Sequence, residues 1–293
     1  MEGLIVENIA NLYRIKIKEE IYEATARGKF KRDDISPVVG DKVECSILDE
    51  DKKIAVIEKI KIRDMYIKRP KLANLTQIIL VLSSKHPNPD LLMLDKQLVF
   101  AEYLNIKPII VLNKIDLDTN NNFLEISKKY ENIGYTVIQT DAKNGIGIAE
   151  LNLKLQNNIS AFSGNSGVGK STLINGLFNT NITQEGEISI KNKKGKNTTT
   201  AIKLYEISEN TYIADTPGFS TFDINEIESN ELDKYFVEFS KFIENCKYIG
   251  CNHVKEDECG VKQAYNNNKI SKSRYENYVK IYNELKDMEE HRW

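Results

Sequence analysis

The central part of the chain contains the sequence Gly164-Asn165-Ser166-Gly167-Val168-Gly169-Lys170-Ser171, which has the pattern G-x-x-x-x-G-K-S of a phosphate-binding loop. Small residues leave backbone N–H groups free to surround a phosphate, the lysine reaches the outer phosphates, and the serine hydroxyl reaches Mg²⁺. The residues before the loop, Ile159–Phe162, predict a buried strand, and Lys170–Phe178 predicts a helix whose N-terminal dipole favours anions. We therefore expect residues Gly164 to Thr172 to bind a nucleoside triphosphate.

A second motif, Asn113-Lys114-Ile115-Asp116, follows the predicted strand Ile109–Leu112. The aspartate of N-K-x-D accepts hydrogen bonds from the N1–H and 2-amino groups of guanine, a pair of donors that adenine lacks. Alone, a four-residue match is weak, but ligands bind at the carboxyl ends of strands in open α/β sheets. Together with the phosphate loop, it predicts GTP as the nucleotide. Asp141-Ala142-Lys143 follows the next predicted strand, and its Ala142 and Lys143 match the S-A-K element that contacts guanine.

Two further motifs follow the phosphate loop. Thr199 and Thr200 lie in a lysine-rich stretch, where one of them would complete Mg²⁺ coordination as a switch I residue. The same stretch is also expected to be a mobile polar loop without nucleotide. Asp215-Thr216-Pro217-Gly218 has the D-x-x-G pattern, in which Asp215 would hold Mg²⁺ through water and the backbone of Gly218 would sense the γ-phosphate.

The order of these motifs is unusual, because N-K-x-D precedes the phosphate loop here and follows it in most GTPases. Permuting a chain keeps its three-dimensional site when the old termini are joined and a surface loop is opened. Predicted strands and helices alternate around the motifs, which indicates a parallel, doubly wound sheet. They are strands Gln77–Leu82 and Tyr135–Thr140 and helices Asp90–Leu104, Phe123–Glu131 and Ile148–Gln156.

Residues 4 to about 68 have a different pattern. Short alternating stretches such as Tyr13–Ile17 and Ile54–Ile57, separated by turn residues, predict a small barrel or sandwich of about five strands. Many basic residues lie in or just after this region: Arg27, Lys29, Lys31, Arg32, Lys59, Lys61, Arg63, Lys68 and Arg69. They either protect strand edges from aggregation or, with Tyr22, Phe30 and Tyr66, form the RNA-binding face of an OB-type barrel.

Near the C-terminus, Cys246, Cys251, His253 and Cys259 have the spacing C-x₄-C-x-H-x₅-C. Three thiolates and one imidazole within a short span predict a closed tetrahedral site for one structural Zn²⁺. Helices are expected on both sides, at Glu231–Asn245 and from Lys262 onwards. In the last helix, one face carries Tyr275, Tyr278, Val279, Tyr282 and Leu285, which we expect to pack on the zinc module; partner binding is the alternative.

Composition agrees with a multidomain soluble protein. The chain has 293 residues, of which 41% are hydrophobic and 29% charged, and its net charge is −2. No apolar run has membrane-spanning length, and the N-terminus lacks a signal-peptide pattern. Cysteines without an export signal favour metal binding over disulfides. We therefore expect a cytoplasmic protein without membrane partners, with domains at residues 1–68 (barrel), 69–222 (nucleotide-binding) and 223–293 (zinc-binding).

With these three parts in this order, the chain resembles the RsgA family of circularly permuted bacterial GTPases. The resemblance covers nearly the whole chain and includes shorter matches at Arg27-Gly28, Val39-Gly40-Asp41, Arg69-Pro70, Ala73-Asn74, Cys259-Gly260-Val261-Lys262 and Ser273-Arg274-Tyr275-Glu276. It implies an OB-fold domain, a permuted G domain and a zinc-finger domain. It also implies hydrolysis of GTP to GDP and phosphate, stimulated by the 30S subunit during its late maturation. We expect the 30S subunit and its 16S rRNA as partners, and a monomer.

The catalytic residue stays open. Ras-like enzymes carry a glutamine after D-x-x-G to position water, and Phe219 occupies that place here, so intrinsic hydrolysis is expected to be slow. Family members commonly carry a histidine before the switch I threonines, where this chain has Asn197. Lys170 would support the transition state. Two alternatives remain: a GTP-dependent RNA-binding scaffold, and a permuted GTPase acting on the large subunit, against which the barrel and the zinc cluster argue.

Overall fold

The structure is a computed structural model that describes residues 1–10, 12–28, 30, 36–180, 202–215 and 224–291. The switch residues Thr199, Thr200 and Gly218, together with Asn197 and Phe219, lie outside the described residues, as do the barrel residues Lys29, Lys31 and Arg32. The chain forms two compact units. The first contains Met1–Ile79, Ala142–Ser163 and Lys170–Phe219, and the second contains Leu80–Asp141, Gly164–Gly169 and Ser220–Trp293.

Five strands at the N-terminus form a closed barrel, as the sequence predicts. They are β1 (Glu2–Ile9), β2 (Leu12–Ile17), β3 (Glu20–Ala26), β4 (Lys42–Asp49) and β5 (Ile54–Ile60). They pair in the order β1-β2-β3-β5-β4, and β1 also pairs with β4, which closes the barrel. Alternate side chains such as Ile15, Val43 and Ile57 are buried inside. Burial raises the pKa of Cys45 to about 11, so this thiol packs as a small apolar group.

Strands and helices alternate in the rest of the chain. In order they are β6 (Tyr66–Ile67), β7 (Leu72–Ala73), β8 (Gln77–Ser83), α1 (Leu91–Tyr103), β9 (Lys107–Asn113), α2 (Asn122–Ile133), β10 (Thr136–Thr140), α3 (Ile148–Leu155), β11 (Ile159–Ser163), α4 (Lys170–Thr180), β12 (Lys203–Ser208), β13 (Thr211–Asp215), α5 (Ser240–Ile243), α6 (Gly260–Asn266) and α7 (Lys272–Glu290). The predicted strands and helices up to α4 are present, with ends that differ by one or two residues.

In the first unit, a sheet with the order β11-β13-β12-β1 leads from the nucleotide-binding part into the barrel. The predicted parallel pairing is confirmed for β11 and β13, whereas β12 runs antiparallel to β13. The antiparallel direction follows from a two-residue turn, Glu209-Asn210, in which Asn210 has a left-handed φ of 53°. Strand β1 pairs with β12 at Glu7 and Lys203, whose side chains also form an ion pair of 3.3 Å.

In the second unit, β9 lies between β8 and β10, and β9 and β10 are parallel. Helix α1 begins where the sequence predicts, because Asp90 Oδ1 accepts a hydrogen bond from the N–H of Met93 at 2.9 Å. Its apolar face is buried at Leu94 and Leu98. Asp95, on the same helix, is wholly buried as well, which hydrophobic spacing alone does not predict.

The segment before the zinc cluster differs from its prediction. A continuous helix over Glu231–Asn245 is wrong: the structure has 3-10 turns at Ser229–Tyr235 and Val237–Phe239, followed by the short α5. The backbone leaves helical geometry at Phe236, with φ −98° and ψ 80°. The rings of Phe236 and Phe239 lie 5.1 and 4.8 Å from that of Tyr278 on α7, so packing on the last helix overrides helix propensity.

The last helix, α7, confirms the predicted apolar face in most positions. Tyr275, Tyr278, Tyr282 and Leu285 are buried, whereas Val279 is only half-buried. Arg274 is also wholly buried, although its residue type predicts exposure.

Candidate functional site

The phosphate loop needs its first glycine for packing as well as for phosphate contact. Strand β11 ends at Ser163, and Gly164 follows with a left-handed φ of +137°. A Cβ atom at Gly164 would lie 2.2 Å from the carbonyl oxygen of Val81 on β8. Only glycine fits so close to a neighbouring strand.

The end of the loop meets the guanine motif within the second unit. Asn113 Nδ2 donates a hydrogen bond of 2.9 Å to the carbonyl of Val168, and Asn113 Oδ1 accepts one of 3.0 Å from the hydroxyl of Thr140. A Cβ atom at Gly169, whose φ is +100°, would lie 2.3 Å from Asn113 Nδ2. Asn113 therefore braces the phosphate loop, and Thr140 is a supporting residue that sequence reasoning missed.

Lys114 makes a second connection to the loop. Its backbone is left-handed, with φ 64°, and its Nζ donates to the carbonyl oxygens of Gly167 at 2.7 Å and His86 at 2.6 Å. The hydroxyl of Ser84 donates to the carbonyl of Lys114 at 2.6 Å. Residues 84–86 thus belong to the site through backbone and hydroxyl groups, and no sequence pattern marks them. The imidazole of His86 has no part in these contacts.

The carboxylate predicted to select guanine, that of Asp116, is accessible. Asp116 lies in a 3-10 turn, Ile115–Leu117, directly after β9, and is exposed. Thr140 on β10 pairs with Asn113 on the parallel strand β9. Asp141 therefore follows β10 at the same edge of the sheet where the N-K-x-D motif follows β9. Asp141 itself is buried, whereas Lys143, two residues further along the chain, is exposed.

In the first unit, the remaining residues predicted to bind phosphate and metal lie at the start of helix α4 and at the end of β13. Helix α4 begins at Lys170, and burial lowers the pKa of that ammonium group. Ser171 and Thr172 are exposed in the first turn of the helix. Asp215 is the exposed last residue of β13, which runs parallel to β11, so both strands end at the same edge of the sheet. A carboxylate and a hydroxyl are oxygen ligands suited to Mg²⁺.

The predicted zinc ligands lie together in the second unit. The ligand atoms of Cys246, Cys251, His253 and Cys259 all lie within 4.8 Å of one another. Cys246 Sγ is 3.9 Å from Cys259 Sγ and 3.6 Å from His253 Nδ1, and Cys259 Sγ is 3.3 Å from that nitrogen. A tetrahedral zinc ion requires about 3.8 Å between two sulfurs and about 3.5 Å between sulfur and nitrogen. Cys246, His253 and Cys259 therefore have the separations of a tetrahedral metal site, and Cys251, within 4.8 Å of all three, is placed to supply the fourth ligand.

Neighbouring groups hold these ligands in position. The backbone N–H of Gly260 donates to Cys246 Sγ at 3.3 Å, and that of Lys262 donates to Cys259 Sγ at 3.4 Å. His253 Nε2 is 3.4 Å from Asp233 Oδ2, so the carboxylate favours the tautomer that leaves Nδ1 for a metal. Burial raises the pKa of Cys251 to about 12, a shift that a bound cation would oppose by stabilising the thiolate.

The barrel surface only partly agrees with the aromatic RNA-binding face. Tyr22 is buried, and its hydroxyl donates to Glu20 at 3.1 Å, so Tyr22 is not available to stack on a base. Tyr66 is half-buried beneath the guanidinium of Arg63, 4.6 Å from its ring centroid. Arg27 forms an ion pair with Glu58 at 2.7 Å.

Within the described residues, no helix combines the length and apolar character that crossing a bilayer requires.

A phosphate loop braced by an N-K-x-D motif that precedes it in the chain, on an α/β sheet, defines a circularly permuted GTPase. Comparison with known families agrees: the RsgA GTPase family matches residues 60–225 and the RsgA N-terminal domain matches residues 2–57. The chain belongs to the RsgA family of GTPases.

Similar proteins match over their full length. The chain is 42% identical to the small ribosomal subunit biogenesis GTPase RsgA of Clostridium novyi (strain NT), with 100% of both chains covered. It is 38% identical to the protein of the same name from Ruminiclostridium cellulolyticum, covering 99% of this chain and 95% of the relative.

Two solved structures share the fold. YjeQ from Thermotoga maritima has a TM-score of 0.84 at 37% identity, over 97% of this chain and 98% of that one. YloQ, described as a circularly permuted GTPase, has a TM-score of 0.81 at 32% identity, over 98% and 95%. The predicted permutation of the nucleotide-binding domain is thus confirmed.

Proposed function

We propose that this GTPase hydrolyses GTP to GDP and phosphate when stimulated by the small (30S) ribosomal subunit, and that it acts late in the maturation of that subunit. The names of its full-length relatives support the ribosomal role. The observation that carries the nucleotide assignment is the pair of contacts from Asn113 and Lys114 to the phosphate loop. These contacts join a guanine-selecting motif to a phosphate-binding one.

In this proposal, GTP is held by two groups of residues. Asn113, Lys114, Ile115 and Asp116, with Ala142 and Lys143, bind the guanine, and residues Gly164 to Thr172 bind the phosphates. Lys170 stabilises the charge on the β- and γ-phosphates in the transition state. Mg²⁺ is held by Ser171, by Thr199 or Thr200, and by Asp215 through water, while Gly218 senses the γ-phosphate.

The remaining assignments concern the rest of the chain. One structural Zn²⁺ is bound by Cys246, Cys251, His253 and Cys259, and the fit of their distances to a tetrahedral ion supports this. The functional domains are an OB-fold barrel at 1–68 that binds 16S rRNA, the GTPase domain at 69–222, and the zinc-binding domain at 223–293. The protein acts as a cytoplasmic monomer.

Guanine selection is tested by the substitution Asp116→Asn. An asparagine has one acceptor oxygen, so it can accept from the N1–H of guanine but not from the 2-amino group as well, whereas its NH₂ group can donate to the 2-oxo group of xanthine. We expect affinity for GTP to fall by at least tenfold and affinity for XTP to rise, as measured by equilibrium binding. The control is Asp51→Asn, which removes an exposed carboxylate from the turn between β4 and β5. Unchanged GTP affinity in Asp116→Asn would overturn the assignment of the guanine site.

A second candidate is a GTP-dependent scaffold on rRNA in which hydrolysis is incidental. Phe219 favours it, because phenylalanine replaces a water-positioning residue in the sequence. Release from 30S subunits discriminates the two. If hydrolysis times release, a non-hydrolysable GTP analogue holds the protein on the subunit, whereas release on the normal schedule would favour the scaffold.

A further inference from the structure

The segment from Lys59 to Lys71 is strongly basic in a chain whose net charge is −2. It joins the last barrel strand to β7 and contains a single acidic residue, Asp64. Its basic residues are Lys59, Lys61, Arg63, Lys68, Arg69 and Lys71. The sequence does not distinguish which of these stabilise the fold and which are available to a partner.

The structure makes that distinction for Lys61 and Arg63 in the first half of the segment. Arg63 Nε and Nη2 donate to the two carboxylate oxygens of the buried Asp41 at 2.7 and 2.8 Å, and Nη2 also donates to the carbonyl of Ser36 at 2.8 Å. Lys61 forms an ion pair with Glu2. These cations are neutralised by the fold, so they add little to the positive potential of the surface.

The second half of the segment forms a short hairpin, which we call the basic hairpin. Its strands β6 and β7 pair through Tyr66 with Ala73 and Ile67 with Leu72, leaving residues 68–71 as the turn. Lys68, Arg69 and Lys71 are exposed in this turn. Among the described residues, no carboxylate lies within ion-pair distance of Arg69 or Lys71.

The base of the basic hairpin is fixed. Ile67, Leu72 and Ala73 are buried, and the N–H of Ala73 donates to the carbonyl of Val39 at 2.9 Å. The buried Asn74 donates through Nδ2 to the carbonyl of Gly40 at 2.8 Å and accepts from the N–H of Asp64 at 2.9 Å. Because the hairpin is already ordered, a ligand at its tip would not have to pay for ordering the backbone.

Arg69 and Lys71, with no carboxylate within ion-pair distance among the described residues, lie beside the exposed Lys68 on a fixed turn and suit a chain of closely spaced anions. An arginine guanidinium binds a phosphate through two parallel hydrogen bonds, and lysines add point charges along a phosphodiester backbone. The turn itself consists of Lys68, Arg69, Pro70 and Lys71, so it offers charged groups and no aromatic ring to a ligand, which points to backbone rather than base recognition. We propose that the basic hairpin binds the phosphate backbone of RNA in the small subunit; this rests on the function proposed above.

The test uses the full-length protein with Lys68→Ala, Arg69→Ala and Lys71→Ala combined. The matched control removes three exposed lysines outside the barrel, as Lys107→Ala, Lys128→Ala and Lys280→Ala, so both variants lose the same charge. Binding to 30S subunits and to naked 16S rRNA is measured over a range of KCl concentrations, with a non-hydrolysable GTP analogue present. Thermal unfolding and GTP turnover without subunits verify that each variant is folded.

Each phosphate contact contributes about 0.9 to the slope of log K against log salt for duplex nucleic acid. We expect the hairpin variant to bind both RNA targets at least tenfold more weakly than the control, with a slope shallower by about 2 to 3. Affinity and slope equal to those of the control would overturn the inference while leaving the proposed function intact. Failure of the unsubstituted protein to bind 30S subunits would overturn both.

An acidic protein partner is the other outcome that the test separates. If the hairpin variant binds naked 16S rRNA as the control does, yet loses binding to RNA-free small-subunit proteins, the hairpin contacts protein and the inference is wrong.

Discussion

Gly169 shows at the scale of a single residue why a phosphate loop tolerates so little change. Its φ of +100° disfavours any side chain, and a Cβ atom there would lie 2.3 Å from Asn113 Nδ2. The phosphate loop and the N-K-x-D motif are thus in contact where the α-hydrogen of Gly169 faces the side-chain amide of Asn113. Asn113 can keep its hydrogen bond to the carbonyl of Val168 only while residue 169 is a glycine without a side chain.

The substitution Gly169→Ala is expected to weaken GTP binding by at least tenfold, because Asn113 must move away from the loop. Gly134→Ala is a matched control: Gly134 has a similar φ of +114°, but an added Cβ would meet nothing within 4 Å. The control should lose about 1 kcal/mol of stability from backbone strain and keep its GTP affinity. Isothermal titration compares the two, and equal GTP affinities would contradict the bracing role of Asn113.

The sequence predicted the candidate nucleotide-binding residues better than it predicted the residues that hydrogen-bond to them and hold them in place. Asp116 and Lys170 were identifiable because guanine and phosphate demand particular donors and acceptors at a fixed spacing. Thr140 and Ser84 were not, because each acts through one hydrogen bond to a motif residue more than twenty positions away in the chain. A hydroxyl in a strand or loop has many possible partners, and nothing in its neighbours selects one.

At the scale of elements, the zinc loop depends on a residue outside it. Asp233, in the 3-10 segment Ser229–Tyr235, approaches His253 Nε2 at 3.4 Å and orients the imidazole. Sequence spacing identified the four ligands but not this carboxylate, because the segment that carries it was predicted to be regular helix. The tertiary contacts of Phe236 and Phe239 decide its actual course.

The substitution Asp233→Ala is expected to lower zinc affinity by about 10- to 100-fold. Asp257→Ala, which removes an exposed carboxylate within the zinc loop itself, should leave affinity unchanged. Competition with a chromogenic chelator measures both. An identical affinity for the two variants would show that Asp233 does not orient His253.

Helix α7 is attached to α1 by a buried ionic network. Arg274 Nη1 donates to Asp95 Oδ1 at 2.7 Å, and its Nε donates to Glu238 at 2.7 Å. Asn277 and Tyr130 also donate to Asp95, each at 2.7 Å. Burial raises the pKa of Asp95, and the guanidinium of Arg274 offsets part of that shift.

Removing the cation with Arg274→Met should cost about 3 to 5 kcal/mol in the free energy of unfolding, because Asp95 is left buried without a counter-charge. Lys280→Met, at an exposed position of the same helix, should change it by less than about 0.5 kcal/mol. Adding Asp95→Asn to Arg274→Met should restore part of the loss. Urea unfolding provides the comparison, and a double variant as unstable as the single one would contradict the charge argument.

At the scale of the whole molecule, motif order was sufficient to predict a permuted GTPase between a barrel and a metal-binding module. The pairing of β1 with β12 was not predictable. It joins Glu7 to Lys203, nearly two hundred residues apart, and antiparallel pairing over such a separation leaves no local signature. The ion pair between Lys16 and Glu206 supports the same connection. In the chain, β12 lies between the predicted switch I threonines and Asp215.

Strand β1 of the barrel pairs with β12 at Glu7 and Lys203, and Lys203 is in turn paired with Asp215 across β12 and β13. Because the sequence provides no glutamine after D-x-x-G, we expect the isolated chain to hydrolyse GTP slowly and a subunit bound at the barrel to stimulate hydrolysis through β12.

The most direct test measures initial rates of GTP hydrolysis by the purified full-length protein alone, with 30S subunits and with 50S subunits. Lys170→Ala serves as the control for contaminating activity in the subunits. We expect a slow rate for the protein alone, an increase of at least tenfold with 30S subunits, and no comparable increase with 50S subunits. Equal rates under all three conditions, or stimulation by 50S subunits alone, would contradict this expectation.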